Sequence, residues 1–245
     1  MKKYLLLFAL MLYVCFAFSQ NGKKKSTRAA FSVYIIFQNM VGDSILQTGS
    51  TYINSLGEPF IIRAFKYYVS DIQLLYADGS TYNIAKPPHL VNEIDTSTRL
   101  LSITAPTGTI TGIQFLLGVD SVINTTGVQT GDLDPANGMY WVWNTGYIMA
   151  KLEGSSPVAK SPGHQFSYDI GGYKWGENAA RKITLTSSST ANYPTSLVLI
   201  KADVLKWFNS AHDIKIAAQP MCHEPGKLAM QIADNYEKMF SVHFE

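Results

Sequence analysis

The most restrictive feature of the sequence is a period of two that begins at Phe31. Phe31, Val33, Ile35 and Phe37 occupy every second position of this segment. Alternate side chains of a β-strand point to the same face of the sheet, so the pattern predicts a strand with one buried face. A chain that begins its folded part in this way is expected to build sheets.

Similar runs recur along the chain and are separated by turn-forming residues. The longest run, 60–76, is followed by Asp78-Gly79, which predicts a hairpin turn back to 81–82. The regular spacing of the turns favours an antiparallel β-sandwich over a parallel sheet with crossover helices. Further strands are predicted at 100–104, 110–117, 140–151, 166–170, 183–186 and 196–200.

Two segments near the C-terminus have helical patterns. One begins at Asp203, and the other, 226–240, carries apolar residues at steps of four that end at Phe240. With no internal repeat and no second compositional block, the prediction is a single domain at 31–245. Its fold class is all-β, an antiparallel β-sandwich with one or two short helices near the C-terminus.

The N-terminus has the three-part form of a secretory signal peptide. Lys2 and Lys3 precede an apolar run, 4–18, and Ala17 and Ser19 place small residues before a cut at Gln20. The run is shorter than the roughly 20 residues of a membrane span, so an anchor is less favoured. We therefore predict a signal peptide at 1–19, a flexible polar spacer at 20–30 and a periplasmic or secreted protein with no membrane span after cleavage.

Charge excludes one class of partner. The whole chain has 20 basic and 18 acidic residues, but the basic excess lies in the first 30 residues, and 31–245 holds 14 basic and 18 acidic ones. A nucleic-acid-binding domain is expected to present a basic face, so no nucleic acid partner is predicted.

Motifs for enzymatic chemistry are missing from the sequence. It contains no glycine-rich phosphate loop, no Gly-x-Ser-x-Gly elbow and no His-Glu-x-x-His. The five histidines are scattered, although Met221-Cys222-His223-Glu224 groups side chains that suit copper. We predict that the protein is not an enzyme.

The stretch 118–154 is the most informative for function, and its first half is rich in oxygen ligands. Asp132, Asp134 and Asn137, followed by Gly138, are similar to a Ca²⁺-binding loop with one residue too many. The same side chains could instead cap backbone amides in tight turns. Calcium binding and turn formation both stay open at this point.

The second half of this stretch places Trp141 and Trp143 two positions apart. If 140–151 is one strand, both indoles lie on the same face of it. Such a pair can belong to a core, or it can form a platform for a ligand beside a metal.

Several ordered blocks resemble the MbnP-like copper-binding protein family. They cover nearly the whole mature chain, and their combination is more specific than any one of them. The blocks are Phe65–Leu74, Gly118–Ser121 with Asn124, Leu133–Pro135, Gly138–Tyr147, Lys151–Gly154 and Ile232–Tyr236 with Met239 and Phe240.

The resemblance implies an exported, non-enzymatic β-sandwich protein that binds copper through histidines and a tryptophan oxidised to kynurenine. A di-haem peroxidase that makes this modification is the implied redox partner. Trp141 or Trp143 would be the modified residue. The family commonly has histidines at two positions where this chain has Thr125 and Asp169. With Asp169 in place, an oxygen-preferring ion such as calcium is a further possibility, and His164 is a candidate replacement ligand.

An alternative function is a metal-free module that binds a ligand or a protein through an aromatic surface. The residues available for stacking are Tyr140, Trp141, Trp143, Tyr147, Tyr173 and Trp175.

Overall fold

The structure is a computed structural model that describes residues 29–144, 146–186 and 196–244. The predicted signal peptide, 1–19, and residues 20–28 of the predicted spacer lie outside this described part. The strands are β1 (Ala30–Val41), β2 (Ser44–Ile45), β3 (Thr51–Ile53), β4 (Pro59–Tyr76), β5 (Thr81–Asn83), β6 (His89–Asn92), β7 (Leu100–Pro106), β8 (Ile110–Leu117), β9 (Tyr140–Trp141), β10 (Gly146–Ser155), β11 (Gln165–Gly171), β12 (Arg181–Thr186), β13 (Leu197–Asp203), β14 (Met221–Cys222) and β15 (Phe240–Phe244). The α-helices are α1 (Ser121–Thr125) and α2 (Lys227–Tyr236).

The first sheet is built around β1, the strand predicted from the period of two. The strand order is β15-β13-β1-β2, and β7 also pairs with β1. Val33, Ile35 and Phe37 are buried as the alternation predicts. β13 is parallel to β1, with Tyr34 opposite Leu197, and the other pairs of this sheet are antiparallel.

The second sheet is built around β4, the longest strand. Its order is β12-β8-β4-β10-β11-β14, with β3, β5 and β6 paired to β4 and β9 paired to β10. The first half of β4 pairs with β10 and the second half with β8. The register changes between Ser70 and Gln73, where Asp71 has a positive φ of 49°. β4 therefore pairs with β10 before this change of register and with β8 on both sides of it.

Aromatic side chains from both sheets meet in the core. Phe37 of β1 contacts Tyr67 of β4, with 6.3 Å between ring centroids. Phe115 of β8 contacts Phe240 of β15 at 5.1 Å. Burying rings of this size is the main source of stability in such a sandwich.

The all-β sandwich is confirmed, with five differences from the predicted elements. β1–β13 and β11–β14 are parallel pairs. The predicted strand 140–151 is two strands separated by a turn. The helix predicted from Asp203 is a single 3-10 turn, Val204–Trp207, and α1 lies in the middle of the chain rather than near its end.

The fifth difference concerns 226–240. The helix ends at Tyr236, and Phe240 begins β15, which pairs with β13 from its first residue, Phe240 opposite Ala202. Phe240 would be buried in a helix that continued to this residue, and it is also buried in β15. The spacing of apolar residues therefore did not distinguish a longer helix from a helix followed by a strand. Within the described ranges, no helix combines the length and apolar character that a membrane crossing requires.

Candidate functional site

Trp141 ends the short strand β9 and is buried. Its backbone pairs with Gly146 of β10, and only 5% of the residue is exposed. The indole lies over Gly171 of β11, where a Cβ atom would come within 2.8 Å of Trp141 Cζ3. The absence of a side chain at Gly171 therefore leaves the space that the Trp141 ring occupies.

Trp143 lies in the turn that follows and is 65% exposed. The prediction that both indoles lie on one face of a continuous strand is wrong, because β9 ends at Trp141 and the chain turns before β10. The turn nevertheless brings the rings together, with 5.4 Å between centroids and 36° between planes. One indole belongs to the core and supports the other at the surface.

Asp169 of β11 lies beside this pair and forms an ion pair with Lys151. Asp169 is two positions before Gly171 and so shares the face that Trp141 covers. Lys151 is its register partner on β10, and Lys151 Nζ lies 3.0 Å from Asp169 Oδ1 and 2.9 Å from Glu153 Oε1. The side chains of Lys151 and Asp169 are 12% and 14% exposed. We call Trp141, Trp143, Lys151 and Asp169 the tryptophan corner.

Burial and the ion pair act in opposite directions on the pKa values of the two charged groups of this corner. Burial raises the pKa of Asp169 above its ordinary value, and the Lys151 ammonium opposes that rise. Burial also lowers the pKa of Lys151, but the Asp169 charge and the hydrogen bonds to Glu153 and Asp169 outweigh this and raise it overall. Lys151 is therefore held in its charged form.

An open cleft of about 580 Å³ adjoins the corner. One wall is Trp143, and the other is the segment 221–229, which contains β14 and the first turn of α2. β14 runs parallel to β11 with Cys222 opposite Tyr168, so His223 follows beside Asp169. Burial raises the pKa of the Cys222 thiol to about 11, which keeps it protonated and unreactive at neutral pH.

His223 is the residue that sequence reasoning did not connect to the corner. The grouping Met221-Cys222-His223-Glu224 carried a signal for it, but nothing in the sequence indicated that β14 would pair with β11. His164 behaves in the opposite way. Its Nδ1 lies 2.9 Å from the Ala159 carbonyl oxygen, and the residue lines a separate cavity with Arg63.

The predicted oxygen ligands in the first half of the stretch 118–154 all form hydrogen bonds within the protein. Asp132 accepts a hydrogen bond from the Leu90 amide and lies 2.9 Å from His89 Nδ1. Asp134 caps the amide of Ala136 at 2.8 Å. Asn137 donates to the carbonyl oxygens of Gly131 and Asp132. The contacts of Asp134 and Asn137 are those of a tight turn, and those of Asp132 connect this turn to β6.

Only two of the six predicted stacking residues are freely accessible. Trp143 is mostly exposed and Trp175 is fully exposed. Tyr147 and Trp141 are buried, and Tyr140 and Tyr173 are partly buried against the core. The accessible aromatic surface is therefore much smaller than the six residues named from the sequence would provide if all were exposed.

Both the sequence and the fold of the chain are similar to those of one known protein family. The family model for MbnP matches residues 31–224. The chain belongs to the MbnP family. Among solved structures it is similar to MbnP from Methylosinus trichosporium, with 14% sequence identity, coverage of 88% of this chain and 99% of the other, and a TM-score of 0.58. No curated protein matches the chain.

The residues at the two positions where the MbnP family commonly has histidine do not fit copper. The Thr125 hydroxyl donates to the Val122 carbonyl oxygen, and Asp169 is neutralised by Lys151. In the described ranges, no three His, Cys, Asp or Glu side chains converge as a metal site would require. Copper also prefers nitrogen and sulfur ligands to a carboxylate.

Proposed function

We propose that this chain is an exported, non-enzymatic binding protein of the MbnP family that operates without copper and takes its ligand at the tryptophan corner. Family membership and the apolar N-terminal run support export. The accessible indole of Trp143 beside a cleft supports ligand binding, since such concave, partly apolar surfaces are where proteins bind small molecules.

The observation that carries the proposal is the ion pair between Lys151 and Asp169. A metal ion at Asp169 would have to displace an ammonium group that lies 3.0 Å from Oδ1 and is itself largely buried. Removing that ammonium from its two carboxylate partners is costly, because a buried charge without a partner destabilises a protein by several kcal/mol. The corner therefore supplies its own cation.

The second candidate is metal binding of the family type, with copper as the expected ion and calcium as the alternative. Among the described side chains, Asp169 Oδ1 is the buried polar atom without a well-formed hydrogen bond, and His223 lies beside it. In this case Trp141 or Trp143 would be oxidised by a di-haem peroxidase-type partner. Intact-mass and peptide mass spectrometry of protein from the native host tests that modification directly.

Metal analysis of the purified mature protein separates the two candidates. The protein is incubated with Cu⁺, Cu²⁺ or Ca²⁺, desalted and analysed for bound metal. Our proposal expects far less than one ion per chain. One copper or calcium ion per chain would overturn it, and loss of that ion in Asp169→Asn would assign it to the corner.

The double variant Thr125→His/Asp169→His provides the matched comparison. It restores imidazoles at both positions where the family commonly has them and removes the carboxylate that Lys151 neutralises. Copper retained by this variant and absent from the wild-type chain would attribute the loss of binding to these two residues.

A further inference from the structure

The cleft beside Trp143 has the size of a small-molecule site. Its volume of about 580 Å³ lies in the range of roughly 300–1,000 Å³ that is typical of ligand pockets. Its residues come from the turn after β9 and from 221–229, so two separate segments form the walls. Gly226 leaves the second wall open, since nothing lies within 4 Å of the position its Cβ would occupy.

Trp143 gives this cleft a flat, amphipathic wall. Because the ring contacts Trp141 at 5.4 Å, it is supported from behind although most of it is exposed. A ligand that covers it gains apolar contact without first having to order a mobile side chain. The ligand should therefore have an apolar face of about the same breadth as the indole.

The polar groups of the cleft favour a neutral ligand. His223, Glu224 and Lys227 all line it and are all exposed. The carboxylate of Glu224 and the ammonium of Lys227 have opposite charges, so neither an anion nor a cation meets a complementary field. Together they supply both hydrogen-bond acceptors and donors, which is the requirement of a ligand rich in hydroxyl groups.

We propose that the cleft binds a neutral oligosaccharide. The apolar C–H face of one sugar ring would stack on Trp143, and the ring hydroxyls would bond to Glu224, Lys227 and His223. The open side of the cleft would let the chain of sugars continue into solvent. This inference rests on the proposed function of a metal-free binding protein and specifies its ligand class.

The test is a titration of the full mature protein with neutral tetrasaccharides, read by calorimetry and by tryptophan fluorescence. Cellotetraose, maltotetraose, mannotetraose and tetra-N-acetylchitotetraose are the probes. We expect at least one to bind with a fluorescence change, and raising the salt concentration should leave its affinity unchanged, because no net charge is neutralised.

Two tryptophan variants locate the site. Trp143→Ala should weaken binding by about tenfold or more, since it removes the stacking surface. Trp175→Ala is the matched control, because this exposed indole does not line the cleft, and its affinity should stay within about twofold of wild type. Thermal unfolding of both variants should match wild type, so that loss of binding is not loss of fold.

Three results would overturn the inference. The first is no binding of any neutral probe at millimolar concentration, and the second is equal binding by wild type and Trp143→Ala. The third is binding only of ligands that are not neutral saccharides, such as oligogalacturonate or free tryptophan. Metal content is measured on the same samples. Bound copper would contradict the proposed function and with it this inference, whereas failed saccharide binding in metal-free protein would contradict only the ligand class.

Discussion

The two halves of the stretch 118–154 differ in what they leave available. The first half carries the side chains that most resemble metal ligands, yet Asp132, Asp134 and Asn137 all bond to the protein itself. The second half carries aromatic residues, and it leaves Trp143 exposed beside a cleft. The polar side chains of the first half stabilise the protein's own structure, and the indole of Trp143 is the surface that remains accessible to a ligand.

The largest expected effect comes from truncating the buried indole of the second half. Trp141→Ala should lower the free energy of unfolding by about 3–5 kcal/mol, because it opens a cavity over Gly171 and removes the support of Trp143. Urea denaturation measures this change. Trp143→Ala is the comparison, with an expected change of about 0.5 kcal/mol or less, and equal losses in both variants would contradict the division between core and surface.

The next largest effect concerns the ion pair between Lys151, near the end of this half, and Asp169 of β11. Lys151→Met should lower the free energy of unfolding by about 3 kcal/mol, because Asp169 keeps a buried charge without its cation. The double variant Lys151→Met/Asp169→Leu should recover most of the loss. A double-mutant cycle measures the coupling, and additive losses would show that the pair does not stabilise the corner.

Breaking the first half should have a smaller effect. Asp132→Ala removes the acceptor of the Leu90 amide and should cost about 1–2 kcal/mol, because the carboxylate is half exposed. Calcium should leave the melting temperature of wild type unchanged. A calcium-dependent rise that Asp132→Ala abolishes would make this turn a metal site.

The smallest effect comes from the hydroxyl that links the first half to β4. Tyr68 donates to the Asp132 carbonyl oxygen at 2.8 Å, so Tyr68→Phe should cost about 1 kcal/mol at neutral pH. Burial raises the pKa of Tyr68 above its ordinary value of 10.0. Its contribution is therefore complete below pH 10.0 and is lost as the pH rises further.

The pH dependence gives this variant its own check. Denaturation measured at neutral pH and above pH 10.0 should show the gap between wild type and Tyr68→Phe shrinking with rising pH. A gap that widens would mean that the phenol ionises more readily in the folded protein than in the unfolded chain.

Local patterns predicted much of the fold, and they failed where pairing partners decide the outcome. The alternation at Phe31 and the Asp78-Gly79 turn each predicted a structure that the chain forms. Trp141 and Trp143 have the spacing of alternate strand residues, but the strand ends at Trp141 and Trp143 lies in a turn. The spacing in the sequence does not show where the hydrogen bonding between strands stops. The parallel partner of β1 lies at Leu197, too far along the chain for any local signal.

The sequence indicated which residues belong to the site, but it did not indicate how strand pairing brings their neighbours to it. Trp141, Trp143 and Asp169 were identified in sequence; the structure brings the two indoles together and places Trp141 over Gly171, two positions after Asp169. The contacts that define their chemistry cross from one strand to another: Lys151 reaches Asp169 from β10, and β14 carries His223 to the same place. His164 was five residues from Asp169 in sequence, yet it faces a different cavity.

The pairing of Tyr34 with Leu197 also controls when the protein can fold. The first strand to be synthesised has to wait for one of the last before its sheet can close, which makes early folding of the N-terminal half unfavourable. In the export that we propose, such a delay would keep the chain extended while it crosses the membrane. Until Leu197–Asp203 arrives, one edge of β1 keeps its backbone amide and carbonyl groups without their parallel partner, so this edge is the place where a wrong strand could pair.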